Sequence, residues 1–204
     1  MLDTPEKLQE FYKERFAKYG NTAQGMGWMD EAVHYQRIIK ARDVVALLTT
    51  IPPERVLDVG CGVGLLPIIW NLQYTKPQVK YIGMDIVEEY VAEAKSSLFN
   101  YTNAEVWQAD FLIPMAVVEP SFNLTIAIGA FAWQPLEVAL NMVNRMWELT
   151  NPNGVMLFTY LPDAPIPNAT VRWLFQELDA KGYAELRGYA GTGEVMVAFK
   201  KGDN

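Results

Sequence analysis

Apolar residues recur at helical spacing through the first fifty positions. Leu8, Phe11, Tyr12, Phe16 and Tyr19 share one face of a helix that Gly20 ends. After the loop Gly25-Met26-Gly27-Trp28, Asp30 is placed to cap a second helix whose stripe is Ile38, Ala41, Val45 and Leu48; Pro52 and Pro53 close the section. From Arg55 the period shortens, and β-rich runs at 55–59, 79–84, 104–108, 124–128 and 155–160 alternate with helical patterns at 65–74, 88–99 and 135–149. In the last helix Leu136, Leu140, Val143 and Trp147 fall at core spacing. Such alternation predicts parallel strands joined by crossover helices. A helix over 170–181 stops at Gly182, and runs at 183–189 and 194–200 flank Gly191-Thr192-Gly193 as a hairpin. The expected fold is α/β: a doubly wound, mostly parallel sheet of seven strands ending in an antiparallel hairpin, preceded by N-terminal helices.

With 204 residues and no repeat, the chain is expected to form one domain over 1–204, a helical cap at 1–51 on a core at 52–204. Half the residues are hydrophobic (50%) and 20% are charged, an ordinary globular balance. No apolar run approaches the roughly 18 residues that span a bilayer, and the start of the chain lacks a secretory pattern, so the expected location is cytoplasmic, away from membranes. One cysteine, Cys61, and one histidine, His34, leave too few soft ligands for a metal centre. The net charge of −7 disfavours nucleic acid as a partner.

The chemistry concentrates at strand ends. In Val56-Leu57-Asp58-Val59-Gly60-Cys61-Gly62-Val63-Gly64 an apolar strand runs through an acid into a glycine loop, where open α/β sheets bind ligands. The dinucleotide pattern would need Gly or Ala at Leu65, which this chain lacks. The next strand ends in Asp85, and a carboxylate can accept from two vicinal ribose hydroxyls. A third acid, Asp110, follows the third strand.

This series closely resembles the motifs of class I S-adenosylmethionine-dependent methyltransferases, with a Rossmann-like fold, firmly over 55–160 and less so to 200. The resemblance implies S-adenosyl-L-methionine as cofactor and S-adenosyl-L-homocysteine as product. It puts Asp58 near the cofactor's amino end, Gly60, Cys61 and Gly62 against its backbone, Asp85 on the ribose and Ile86 on the adenine face. Asp110 would accept from the adenine amine, Phe111 would line the ring pocket, and Gly129 would allow close approach after the fourth strand. Trp28 would cap the site, and Arg37 would reach the cofactor carboxylate.

In the family the methyl group moves by in-line displacement, where alignment of the reactants carries much of the catalysis. A general base is then dispensable, and His34, on the apolar stripe of its helix, reads as a core-boundary residue. Asn123 stands where many relatives have Asp. The Asp- or Asn-Pro-Pro-aromatic motif of amino-methylating DNA enzymes is absent, and the lone thiol lies in the glycine loop rather than at a cytosine-attacking position. A small-molecule acceptor is expected, bound between the N-terminal helices and the 161–167 loop. Alternatives are a protein or RNA acceptor, a non-catalytic S-adenosylmethionine-binding subunit, or nicotinamide-dependent reduction; the oligomeric state is not set by the sequence.

Overall fold

The computed structural model describes residues 4–28, 30–74, 78–113, 122–131, 134–161, 177–178, 180–187 and 193–203. Two helices, α1 (Pro5–Tyr19) and α2 (Glu31–Leu48), precede β1 (Arg55–Val59) and the short α3 (Leu65–Ile69). Then come β2 (Lys80–Asp85), α4 (Glu88–Ser97), β3 (Ala104–Gln108), β4 (Phe122–Ala127), α5 (Leu136–Leu149), β5 (Thr150–Tyr160), β6 (Gly182–Arg187) and β7 (Val195–Lys200). The strands form one sheet in the order β3-β2-β1-β4-β5-β7-β6. From β1 to β5 the pairings are parallel, and β7 enters antiparallel between β5 and β6. Strand order reverses at β1, which leaves a crevice at the carboxyl ends of β1 and its neighbours.

Local chemistry accounts for the helix starts. Thr4 caps α1 by accepting from the Lys7 N–H, and the Asp30 side chain accepts from Ala32 and Val33, satisfying N–H groups that the first turn leaves open. The two faces of the sheet carry separate apolar layers. On one, Ile38, Ala41 and Val45 of α2 pack with Val56, Leu124, Met196 and Ala198. On the other, Ala139, Val143 and Met146 of α5 pack with Leu57, Phe158 and Phe199. The α1 aromatics Tyr12 and Phe16 meet Tyr90 of α4, so the N-terminal segment is seated beside the crevice.

Several expectations shift. The buried arc of α5 is Ala139, Met142, Val143, Met146 and Leu149, with Leu140 and Trp147 packed half-buried at its edge and Leu136 40% exposed; unbranched methionines fit the sheet surface. The helix expected over 65–74 ends at Ile69, because Asn71 turns left-handed (φ 55°) and a 3-10 turn, Leu72–Tyr74, follows. Strand β5 starts at Thr150, where the Thr125 and Thr150 hydroxyls share a 2.7 Å bond across the sheet. At Gly182 a strand begins; the helix expected over 170–181 and the turn at 191–192 lie largely outside the described residues. Among the described residues no helix is long and apolar enough to cross a membrane.

Candidate active site

The glycine loop after β1 is folded inward on the backbone of β2. The N–H groups of Gly60 and Cys61 both donate to the Met84 carbonyl (2.8 and 3.0 Å), that of Gly62 donates to Asp85 Oδ2 (2.9 Å), and that of Gly64 to the Cys61 carbonyl (3.1 Å). A pyrophosphate site needs such N–H groups turned outward. Here four are already engaged, and α3 has only five residues, so the loop is poorly built to hold a phosphate. What it offers is access: Gly62 is left-handed (φ 54°), and a Cβ there would meet only the Met26 sulfur, at 3.7 Å.

The acids differ in setting. Asp85 is 8% exposed and accepts from Gly62 and Val87, each at 2.9 Å, which fixes the carboxylate and leaves a lone pair on each oxygen for a diol. Burial pushes it up to about 6, opposed by its backbone N–H bonds from Val87, Gly62 and Ile86. Asp58 is 4% exposed and accepts from the Tyr81 hydroxyl at 2.8 Å. Burial, chiefly, pushes Asp58 up to about 7; the Tyr81 bond works against the shift and the Asp85 charge adds to it. Asp110 is half-buried, and its Oδ1 accepts from Leu112; Phe111 beside it is buried. The Ile86 carbonyl accepts from Gln9 Nε2 (2.9 Å), so α1 braces the turn after β2. Cys61 is buried, and burial holds its thiol well above the usual range, so its place in the loop is one of packing.

Trp28 closes the other end. A Cβ built on Gly129, which has φ 81°, would lie 2.1 Å from the Trp28 ring, so the indole occupies the space a side chain would take. The Gly129 N–H donates to Thr159 Oγ1 at 2.7 Å, which pins the end of β4 to β5. Above the indole, the Arg37 guanidinium lies 3.6 Å from the ring centroid, and the His34 ring stacks at 5.4 Å and 25°. Arg37 is 5% exposed and forms an ion pair with Glu194 (2.6 Å), itself 2% exposed. Arg37 is not among the residues that line the cavity; it lies over Trp28 and pairs with Glu194, joining α2 to the start of β7.

A cavity of about 160 Å³ gathers the remaining sequence-predicted residues, Trp28, Asp58, Gly60, Cys61, Gly62, Asp85, Ile86, Asp110, Phe111 and Gly129. His34 lines it too. Three carboxylates and no Lys or Arg face it among the described residues. The wall suits a nucleoside that carries positive charge. Sequence reasoning missed Tyr81, Gln9, Thr159 and Glu194, since none belongs to a motif and each acts through a partner distant in sequence. Asn123 lies away from this edge: its Oδ1 accepts from the N–H groups of Glu54 and Arg55 and ties β4 to the entry of β1. The loop expected at 161–167 lies, after Leu161, outside the described residues.

A family profile described as a methyltransferase domain matches residues 52–194, well over half of the chain. The chain belongs to the methyltransferase domain family. Among curated proteins it is 29% identical over 134 residues to trans-aconitate 2-methyltransferase of Deinococcus radiodurans, covering 64% of this chain and 48% of that one. It is 28% identical over 155 residues to malonyl-[acyl-carrier protein] O-methyltransferase of Legionella pneumophila, covering 75% and 49%. The chain thus spans about half the length of these relatives. The fold is that of magnesium protoporphyrin IX methyltransferase from Synechocystis, with TM-score 0.72 and 18% identity over 98% of both chains.

Proposed function

We propose that this methyltransferase domain binds S-adenosylmethionine and transfers its methyl group to a small-molecule acceptor by in-line displacement. The observation that carries the reading is the loop that spends its N–H groups on Met84 and Asp85 beside a wall of three acids with no facing cation among the described residues. That arrangement favours a cationic nucleoside and opposes a dinucleotide, whose pyrophosphate would meet like charge and glycine N–H groups that are already engaged. Bound there, S-adenosylmethionine supplies a sulfonium-activated methyl group.

The residues divide the work. Asp85 holds the ribose hydroxyls, Asp110 and Phe111 take the adenine with Ile86, and Gly60 to Gly62 let the ligand approach the backbone. Asp58 balances the positive end. Trp28, held by Arg37 and Glu194, sets the position of the reacting end next to Gly129, where alignment contributes up to about 7–11 kcal/mol in ideal cases. Names of relatives such as trans-aconitate 2-methyltransferase support a small acceptor. Asn123 is tied to the backbone of β1, so its substitution for Asp gives no argument for a catalytically silent subunit.

The test is turnover. Incubation with S-adenosylmethionine and a panel of small phenols, amines, thiols and carboxylates should form S-adenosylhomocysteine with at least one of them, at a rate lost in Asp85→Ala. Stoichiometric binding with no product on any acceptor would favour the non-catalytic subunit.

A further inference from the structure

The cavity has two ends set by strand order. Asp85 closes β2 and Asp110 follows β3, whereas Gly129 follows β4, on the opposite side of β1. With the nucleoside on the β2–β3 side, the reacting end faces Gly129, Trp28 and His34. His34 has features that a residue merely packed at the core boundary does not need. It lines the cavity, it is 9% exposed, and its Nδ1 is buried with no hydrogen-bond partner among the described residues. Buried polar atoms in folded proteins are nearly always paired, so an orphan nitrogen beside a cavity marks a place for a ligand atom.

The surroundings fix the form of the imidazole. Burial, with the Arg37 charge adding to it, holds His34 down at about 4, so it is neutral near pH 7, with one nitrogen able to accept and the other to donate. Stacking on Trp28 fixes the ring plane. The nearby guanidinium is engaged by Glu194, and no Lys or Arg lines the cavity among the described residues. Of the other residues lining the cavity, Met26, Ile38 and Ile128 are apolar, and Gln134, in the turn after β4, is polar but uncharged.

We propose that His34 holds the methyl acceptor, and that the acceptor is an uncharged, largely apolar molecule presenting one O–H or N–H to the imidazole, as a phenol does. The proposal rests on the methyltransferase reading and narrows it. It separates this chain from the relatives named for trans-aconitate, whose carboxylates would find no opposing Lys or Arg in this cavity among the described residues. His34 then acts by binding and orienting the acceptor, and its hydrogen bond is satisfied only when the acceptor is in place.

The chain has a single histidine, so protein labelled with ¹⁵N-histidine reports His34 alone. The S-adenosylhomocysteine complex is titrated in turn with phenol, with anisole, which lacks the O–H, and with trans-aconitate. The expected result is that phenol shifts the imidazole ¹⁵N signals and binds about tenfold more tightly than anisole, the usual worth of one such bond. His34→Phe keeps an aromatic ring against Trp28; it should erase the preference for phenol while S-adenosylhomocysteine binds within about twofold of its original affinity. Equal or absent binding of phenol and anisole overturns the proposal, as does tighter binding of trans-aconitate or a preference that survives in His34→Phe. Failure of S-adenosylhomocysteine itself to bind overturns the methyltransferase reading and this one with it.

Discussion

Asp58 and Asp85 are carboxylates that keep their protons to unusually high pH. The sign follows from their raised values, about 7 and about 6. A positively charged ligand binds the carboxylate form, so below pH 7 binding must first expel a proton. Affinity for S-adenosylmethionine should therefore fall as pH drops from 8 to 5, by up to about tenfold per unit for each group titrating, with proton release near one at pH 6 to 7. Calorimetry in buffers of different ionisation enthalpy measures both, and Asp58→Asn should flatten the upper part of the profile. At Gly129 the conflict is steric. Gly129→Ala combines a left-handed backbone with a Cβ 2.1 Å from the Trp28 ring. It should cost about 1–3 kcal/mol in denaturant unfolding and change indole fluorescence. These residues were legible to different degrees. The acids and glycines stood out because a strand end followed by an acid or glycine has a chemical reason; His34 did not, because an apolar helical stripe hides which member faces a cavity.

The element that depends most on distant partners is α2. Its link to β7 is the buried pair Arg37–Glu194, two charges 5% and 2% exposed that hold each other and Trp28. Removing one leaves the other buried and uncompensated, so Glu194→Ala should lose about 3–5 kcal/mol, whereas Arg37→Met with Glu194→Met should recover most of it. Chemical denaturation of the three variants decides this, and in the double variant S-adenosylmethionine affinity should still fall because Trp28 is no longer oriented. On a smaller scale, Asn123→Ala frees the N–H groups of Glu54 and Arg55 at the entry of β1 and should cost about 1–2 kcal/mol, without change in cofactor affinity. Among the described residues, helix and strand types were readable from period alone. The ends of elements were not: Asn71 leaves α3 early through a left-handed turn, and the Thr125–Thr150 hydroxyl contact lets β5 begin earlier than its apolar run suggests.

For the molecule as a whole, the order of strands decides where chemistry can occur. Parallel strands β1 to β4 present their carboxyl ends to one crevice, and the alternation of strands and helices in the sequence already implied that edge. The antiparallel end was also legible from the glycine turn. What the pattern could not reveal was that α1 and the 20–28 loop reach back over α4 and the turn after β2. The contacts that hold them, Gln9 to the Ile86 carbonyl and the Tyr90 hydroxyl to the Gly25 carbonyl (2.6 Å), join residues separated by 77 and 65 positions. The most direct measurement is calorimetric titration of the protein with S-adenosylmethionine and S-adenosylhomocysteine, with NAD as control, repeated on Asp85→Ala. Binding of the first two and not of NAD, weakened at least about tenfold by the substitution, is the expected result. Binding of NAD instead, or of none of the three by a folded sample, would contradict the assignment of this cavity to S-adenosylmethionine.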